Sequence, residues 1–153
     1  MLTFIKNILK RPIIMTKQLQ VSKVFIGSDH AGFGQKEDLK RFLTEMNCEF
    51  VDCGTHSNAS VDYPDYAKLV CDQVNNNPGT YGILFCGSGV GICVAANKIN
   101  GIRAGLVDRK ELAYLAVAHD NCNVLCLSAR FVSFDDNCQI VHAFLTTAFE
   151  QGR

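Results

Sequence analysis

The stretch YGILFCGSGVGICVAANK, residues 81–98, decides the fold of this chain. Its first six residues are almost wholly apolar, as expected of a strand that is buried on both faces of a parallel sheet. Glycines then alternate with other residues over 87–91, and a helix is predicted to begin at about Val90. Such a loop turns backbone N–H groups toward a ligand at the positive end of a helix, so it predicts a site for a phosphate or an oxyanion. A tight strand-to-helix turn that needs positive φ is the alternative.

The same alternation of strand and helix continues on both sides of this unit. Five apolar, β-rich runs are each followed by a segment with apolar residues at helical spacing. This pattern predicts an α/β protein, a three-layer α/β/α sandwich around a five-stranded, parallel, Rossmann-like sheet. In such sheets, ligands bind beyond the carboxyl ends of the strands. The predicted strands are 23–28, 48–53, 81–86, 102–107 and 123–128, and the predicted helices are 35–46, 66–74, 90–98, 109–119 and 135–149.

Length and composition indicate one globular domain. The 153 residues are 48% hydrophobic and 20% charged, which suits a folded domain of ordinary size. Fifteen Lys and Arg balance fifteen Asp and Glu, so no basic excess points to nucleic acid. No apolar run approaches the roughly 18 residues of a membrane span. We therefore expect neither a nucleic-acid partner nor a membrane partner.

The first 22 residues differ from the rest of the chain. They hold four cations and no acid, which leaves the remaining residues with a net charge of −4. Apolar residues between 2 and 9 could form one face of a short helix, which is compatible with a transit peptide over residues 1–14, although serine is scarce. We favour a plain extension, with Met15 as a second candidate start, and a cytoplasmic location. The predicted organisation is an extension at 1–22 and a single domain at 23–153.

Eight cysteines are unusual in a chain of this size. An even number can indicate a disulfide framework, but most of these lie within apolar runs and are interpreted as small core residues in a reducing compartment. No C-x-x-C pair occurs, and none of the four histidines stands at ligand spacing from a cysteine, so we expect no metal. Seven cysteines are interpreted as structural: Cys48, Cys53, Cys71, Cys93, Cys122, Cys126 and Cys138.

Cys86 is the exception, because it ends a predicted strand and directly precedes the glycine loop. The N–H groups of that loop and the helix dipole favour a thiolate, which could act as a base or a nucleophile. A packed core cysteine is the alternative. A dinucleotide-binding fingerprint does not fit, because the third glycine of G-x-G-x-x-G would have to stand at Ile92 or Val94.

Polar residues follow other predicted strands as well. Asp29 and His30 suit proton transfer or phosphate contact, whereas the alternative is that Asp29 caps a helix and His30 is solvated. Arg130 could bind a phosphate through two hydrogen bonds, or it could be an isolated surface arginine. His119 ends a predicted helix, where a histidine can simply interact favourably with the helix dipole.

Together these motifs resemble ribose-5-phosphate isomerase type B, a family that also includes the galactose-6-phosphate isomerase subunits. The resemblance runs from about Lys23 to Arg153. CGSGVG followed by AANK is its most specific part, and the motifs occur in the family's order. They are GSDHAG at 27–32, DYPDYA at 62–67, CGSGVGICVAANK at 86–98, GIRA at 101–104, and the stretch from His119 through NVL to SAR at 128–130.

The resemblance implies an aldose–ketose isomerase that interconverts ribose 5-phosphate and ribulose 5-phosphate through an enediolate, in the non-oxidative pentose phosphate pathway, with neither metal nor cofactor. Cys86 would carry a proton between C1 and C2, because the position that holds a glutamate in other members is Ile92 here. Ser88 would assist, His119 would protonate the ring oxygen, and Asp29 would help at the sugar. The implied substrate contacts are Asp29, His30, Tyr63, Gly87, Ser88, Gly89, Val90, Gly91, Asp120, Arg130 and Arg153, with phosphate bound by His30, Arg130 and Arg153.

The resemblance also implies a homodimer or a dimer of dimers, with His119 and the arginines entering each site from the partner subunit. Two departures stand out: Asp120 replaces the family's usual asparagine, and the family carries a further basic cluster after the position of Arg153. Three alternatives remain. The same reaction could act on allose 6-phosphate or galactose 6-phosphate, the chain could be a non-catalytic phosphate- or nucleotide-binding module, or Cys86 could have a redox role with a partner thiol.

Overall fold

The computed structural model describes residues 17–152, so Arg153 and most of the predicted extension, including the alternative transit peptide at 1–14, lie outside the described residues. Within that range, five strands alternate with five helices, as the sequence predicts. None of these helices has the length and apolarity needed to cross a lipid bilayer. The strands are β1 Lys23–Ser28, β2 Glu49–Asp52, β3 Tyr81–Cys86, β4 Ala104–Leu106 and β5 Val124–Ser128. The helices are α1 Phe33–Glu45, α2 Tyr63–Asn76, α3 Val90–Asn97, α4 Lys110–Ala118 and α5 Phe134–Thr146.

All strand pairs in the sheet are parallel, and the strand order is β2-β1-β3-β5-β4. The central strand β3 is buried along nearly its whole length, whereas side chains of the edge strand β2 alternate between exposed and half-buried. These patterns confirm the predicted parallel α/β sheet, because only a central strand is covered on both faces. The order also places the carboxyl ends of β1 and β5 on either side of β3.

Helices cover both faces of the sheet. α1, α4 and α5 pack on one face, and α2 and α3 pack on the other. The apolar stripe of α2 shows why, since its buried residues recur at helical spacing; they are Ala67, Val70, Cys71 and Val74. Five of the seven cysteines interpreted as structural are buried in these two cores as small apolar side chains, and all eight cysteines are free thiols.

The last helix begins one residue before its predicted start at Asp135 and ends three residues early. Ser133 is its N-cap, and the Ser133 Oγ accepts a hydrogen bond of 3.1 Å from the Asp136 N–H. The helix stops at Thr146 rather than at the predicted Phe149, and the backbone is extended at Thr147. Both threonine hydroxyls donate to carbonyl oxygens four residues earlier, which competes with continued main-chain helix bonds.

The packed domain begins a few residues before β1. Val21 is buried in the core on the α1 face and Leu19 packs against that core. The Gln20 N–H donates a hydrogen bond of 2.8 Å to a carbonyl oxygen at the end of α5. The predicted extension at 1–22 is therefore wrong for its last residues, because their apolar side chains are withdrawn from water into the domain.

Candidate active site

Three loops form a polar surface at the carboxyl ends of the strands, called here the carboxyl edge of the sheet. β3 lies between β1 and β5, and strand pairing sets Cys86 at the end of β3 beside Ser128 at the end of β5. The loops after these strands are neighbours, because the carboxyl ends of parallel strands lie at the same edge. The structure thus brings together the predicted site residues Asp29, His30, Cys86, residues 87–91 and Arg130.

Cys86 is buried at the centre of this edge. Only 4% of its surface is exposed, and its Sγ accepts a hydrogen bond of 3.1 Å from the Gly89 N–H. Gly89 can aim its N–H in this way because its φ of +80° lies in the left-handed region. A Cβ there would lie 2.5 Å from Leu106 Cδ1 and 3.0 Å from the carbonyl carbon of Leu127. An N–H donor interacts more strongly with a thiolate than with a thiol, so this geometry supports Cys86 as a base.

Two N–H groups of the glycine loop are engaged within the loop itself. The Gly89 N–H donates to Cys86, and the Val90 N–H donates a hydrogen bond of 3.2 Å to Ser88 Oγ. The sequence predicts that the N–H groups of residues 87–91 bind substrate as a set, but these two already have partners. Ser88 is exposed at the N-terminus of α3. Its oxygen is the acceptor in the bond to Val90, so its hydroxyl proton can be donated to a ligand.

Tyr63 and Arg130 pack against two glycines of the loop. A Cβ on Gly91 would lie 2.7 Å from Tyr63 Cζ, and a Cβ on Gly87 would lie 3.1 Å from Arg130 Nη1. The missing side chains therefore leave room for the phenol ring and the guanidinium group. The Arg130 N–H also donates a hydrogen bond of 3.0 Å to Gly87 O. The prediction that the arginines enter from a partner subunit is wrong for Arg130, because it lies against the loop of its own chain.

Asp29 and His30 are oriented by nearby backbone groups. Asp29 is buried, and its Oδ1 accepts a hydrogen bond of 3.1 Å from the Gly32 N–H. This bond closes the turn before α1, whose N-cap is Gly32 and has no side-chain cap, so the capping alternative for Asp29 is wrong. His30 Nδ1 lies 3.2 Å from both the nitrogen and the oxygen of Val61. His30 is thus more than a solvated side chain, since the Val61 backbone fixes the orientation of its ring.

His119 lies near the amino ends of the strands, whereas Cys86 lies at their carboxyl ends. It follows the last residue of α4, which returns from the carboxyl end of β4 to the start of β5. Cys86 is level with Ser128, four residues further along β5 than Val124, or about 13 Å at about 3.3 Å per residue. His119 therefore does not reach Cys86 of the same chain. Its Nε2 lies 3.8 Å from Glu150 Oε2.

Two predicted site residues remain, Asp120 and Arg153, together with the expectation that no metal is bound. Asp120 is exposed beside His119, so it too lies away from the edge that holds Cys86. Arg153 is outside residues 17–152, and its phosphate contact stays a prediction. Within that range, no group of three or more His, Cys, Asp or Glu side chains is arranged to hold a metal ion.

A pair of amide side chains, Gln35 and the buried Asn137, supports the loop after β5 and was not predicted. Gln35 Nε2 donates hydrogen bonds to the carbonyl oxygens of Ala129 and Val132, at 3.1 and 3.0 Å. Gln35 Oε1 accepts a bond of 2.7 Å from Asn137 Nδ2. Asn137 stands one turn before Val141 on the buried face of α5. A polar residue within an apolar stripe was the signal that could have revealed this pair.

Cys93 differs from the other cysteines interpreted as structural. It is half-buried on α3, and hydrogen bonding from the Cys126 thiol lowers its pKa to about 7. Burial opposes this effect, while a backbone N–H and the Asn97 side chain reinforce it. By contrast, burial raises the pKa of Cys48 to about 11 and that of Cys71 to about 12. Cys93 is therefore a partly ionised thiol at neutral pH.

We expect iodoacetamide to alkylate Cys93 well before Cys48 at neutral pH. At pH 7, about half of Cys93 is thiolate, whereas about one in 10⁴ molecules is ionised at Cys48. Labelling of Cys93 should rise with pH and level off above about pH 8, because the thiolate fraction is then nearly complete. Peptide mass mapping after timed labelling between about pH 6 and pH 9 measures both rates. A Cys93 rate that still rises tenfold per pH unit near pH 9 would contradict the lowered pKa.

Comparison with known proteins points to one family. A family model described as Ribose/Galactose Isomerase matches residues 24–153. A protein of Mycoplasma genitalium named probable ribose-5-phosphate isomerase B is 48% identical over 132 residues, which cover 85% of this chain and 87% of the relative. Ribose-5-phosphate isomerase B of Escherichia coli strain K12 is 40% identical over 133 residues, which cover 87% of this chain and 89% of the relative.

One solved structure in the same group carries a ligand. It is ribose-5-phosphate isomerase B from Mycoplasma genitalium with bound ribulose-5-phosphate. It is 47% identical to this chain, has a TM-score of 0.82, and covers 86% of this chain and 88% of its own. The two chains therefore share one fold along nearly their whole lengths.

Proposed function

This chain belongs to the ribose/galactose isomerase family, and on that premise we propose that it interconverts ribose 5-phosphate and ribulose 5-phosphate. The observation that carries the proposal is the ribulose-5-phosphate bound to a relative that is 47% identical and has the same fold. The carboxyl edge of the sheet supports it, because a buried thiol, a loop of N–H groups and an arginine stand together there. The protein is an enzyme, an aldose–ketose isomerase, as the sequence motifs predict.

Cys86 is the proton carrier in this proposal. As a thiolate it removes the proton from C2 of the open-chain aldose, and the electrons of that C–H bond form the C1=C2 double bond. The carbonyl oxygen on C1 takes the negative charge of the enediolate. The thiol then returns the proton to C1, while the proton of the C2 hydroxyl passes to the oxygen on C1, which leaves a ketone at C2.

The N-terminus of α3 stabilises the enediolate oxygen. Donors fixed in place before the reaction stabilise developing charge without having to reorganise. The Gly89 and Val90 N–H groups have partners in the loop, so the donors proposed for substrate are the N–H groups of Gly87, Ser88 and Gly91. The Ser88 hydroxyl, exposed at the same place, is the proposed group that helps the proton pass between the two substrate oxygens.

His119 of a second copy opens the sugar ring in this proposal. Supporting it, His119 of the same chain is at the opposite edge of the sheet from Cys86. Further support comes from exposed valines on α3 beside the glycine loop, since Val90 and Val94 are 52% and 55% exposed. Apolar surface of this kind is typical of a contact between protein chains. We therefore expect a homodimer, or a dimer of dimers, with sites shared between subunits.

A few positively charged side chains are proposed to bind the phosphate. Residues 23–153 carry a net charge of −4, so the substrate's phosphate needs concentrated positive groups to bind. Arg130, His30 and Arg153 are the proposed ligands, and a guanidinium group can donate two parallel hydrogen bonds to a phosphate. The proposed location is the cytoplasm, where reducing conditions would keep the eight free thiols reduced. The proposed pathway is the non-oxidative pentose phosphate pathway.

An isotope experiment tests the function directly. The protein is incubated with ribose 5-phosphate in heavy water, and NMR follows both the appearance of ribulose 5-phosphate and deuterium at C1 or C2. We expect ketose formation, with deuterium incorporated by exchange at the thiol. Allose 6-phosphate and galactose 6-phosphate, run in parallel, should react at least about tenfold more slowly, since pocket contacts discriminate by roughly 1–3 kcal/mol per misplaced group. If a dimeric sample forms no ketose and exchanges no deuterium, the proposal is overturned.

A further inference from the structure

Lys36 on α1 is buried inside the domain and is not needed for the chemistry proposed above. Among residues 17–152 it is the one charged side chain with no exposed surface. Its Nζ donates hydrogen bonds of 2.8 and 2.7 Å to the two oxygens of Asp52, and a third of 3.1 Å to Glu37. Asp52 ends β2, next to β1, so the contact joins a helix to the edge of the sheet near the substrate loops.

Asp52 carries this contact on to the end of β1. Its Oδ1 accepts a hydrogen bond of 2.9 Å from the Gly54 N–H. The Ser28 N–H donates 2.8 Å to Gly54 O, and the Thr55 N–H donates 2.9 Å to Ser28 O. The buried Ser28 Oγ has no hydrogen-bond partner in the described chain. Ser28 is therefore held by its backbone, with the Gly54–Thr55 turn on one side and β3 on the other.

The backbone of Lys36 holds the other end of the same loop. Its N–H donates a hydrogen bond of 3.0 Å to Gly32 O. The Gly32 N–H in turn donates 3.1 Å to Asp29 Oδ1. The main chain of residue 36 thus holds the helix end of the segment 29–31, and the Lys36 ammonium group acts on its strand end through Asp52.

We propose that Lys36 is a positioning residue which, through Asp52 and the Gly54–Thr55 turn, holds Asp29 and His30 where the sugar phosphate meets them. The proposal rests on the function proposed above. Stability alone does not account for a buried lysine, because an apolar pair of similar volume often stabilises a core as well or better. An ionic pair with fixed hydrogen bonds instead sets direction, which apolar contacts do not.

Asp52 is suited to this role because it stays ionised. Burial raises the pKa of its carboxyl group, but hydrogen bonds from Lys36, Lys40 and the Gly54 N–H outweigh burial and hold that pKa below its usual range. Lys40 makes a similar ion pair with the same carboxylate, at 2.6 Å, and with Glu37 at 2.8 Å. It is 28% exposed and its 2.6 Å contact is with Asp52 Oδ2, whereas Lys36 also bonds Oδ1, the oxygen that accepts from the Gly54 N–H. Lys40 is therefore a matched control.

The test compares Lys36→Met with Lys40→Met in the full-length protein. For each, kcat and KM for ribose 5-phosphate and the Kd of inorganic phosphate are measured well below the variant's own Tm. We expect Lys36→Met to lower kcat/KM by roughly 10- to 100-fold, because small misplacements of substrate-binding groups have effects of this size. The phosphate Kd should rise in parallel, by about tenfold, since His30 moves. Lys40→Met should change both quantities by less than about threefold, because Lys40 is partly open to solvent and Lys36 still holds both oxygens of Asp52.

A second variant separates positioning from folding. Replacing both partners, Lys36→Met with Asp52→Leu, removes the buried charges together and should restore the Tm toward that of the wild type. The proposal expects kcat/KM and phosphate affinity to stay low in this stable double variant. Wild-type values for both in the folded double variant, or in folded Lys36→Met, would overturn it. If the wild type itself does not isomerise ribose 5-phosphate, the proposed function fails, and the difference in phosphate Kd still decides the role of Lys36.

Discussion

Replacing Cys86 with alanine should remove nearly all isomerisation, with kcat for ribose 5-phosphate falling by about 10²- to 10⁴-fold, the range expected when a general base is lost. The thiol is the group proposed to move the substrate proton, and alanine offers no atom that can accept it. Cys86→Ser should be nearly as inactive, because a hydroxyl is far harder to ionise than a thiol. Initial rates of ketose formation and of deuterium exchange measure the loss.

Cys71→Ala is the matched control for Cys86→Ala. Cys71 lies in the same apolar cluster as Cys86, is wholly buried, and belongs to α2 rather than to the glycine loop. Both changes remove one sulfur atom from the core, so each should lower the free energy of unfolding by on the order of 1 kcal/mol. Cys71→Ala should keep nearly full activity. A Cys86→Ala protein that is folded and retains more than about a tenth of wild-type kcat would contradict the assignment of Cys86 as the base.

Replacing His119 with asparagine should also remove most of the activity, by about 10²- to 10⁴-fold for loss of a general acid. The physical reason is that ribose 5-phosphate is mainly cyclic, and the ring oxygen must be protonated before C2 becomes acidic. The stronger prediction concerns mixtures. Because His119 does not reach Cys86 of its own chain, a dimer of one Cys86→Ala chain and one His119→Asn chain contains one intact site.

Mixing the two inactive variants should therefore restore activity. If equal amounts reassociate at random into two-fold symmetric dimers, half the dimers are mixed and about a quarter of the wild-type activity returns. Native mass spectrometry of chains with different tags measures the mixed fraction in the same sample. A sample shown to contain mixed dimers but still inactive would contradict a site shared between subunits. Cys71→Ala mixed with His119→Asn serves as the control for chain exchange itself.

The fold was largely predictable because its determinants are local. The runs over 81–86 and 123–128 are apolar enough to mark strands that are covered on both faces, and the glycines at 87–91 mark the turn into α3. Helix ends were less predictable, because side-chain bonds such as those of Thr146 and Thr147 decide where the main-chain bonds stop. The N-terminal boundary was misplaced because Val21 is buried by elements distant in the sequence.

The candidate site was predictable in its members but not in its arrangement. The sequence predicts that Cys86, Asp29, His30 and Arg130 lie at strand ends, and the structure places all four at one edge. The sequence could not predict that Arg130 packs on Gly87 of its own chain, since that contact depends on β5 lying next to β3. The role of Lys36 was also not predicted. Lys36 stands three residues before Leu39 on the buried face of α1, and a lysine in such an apolar pattern indicates a buried acidic partner.

The sequence by itself determined the family, the alternating strands and helices, and a thiol placed before a glycine loop, because apolar periodicity and glycine content act over a few neighbouring residues. Only the tertiary structure decided which strand ends adjoin, that His119 and Cys86 of one chain stand at opposite edges of the sheet, and that Lys36 meets Asp52. The reason is that strand order and buried ion pairing join residues far apart in the chain. Their energies depend on the packing of the whole domain rather than on any local pattern.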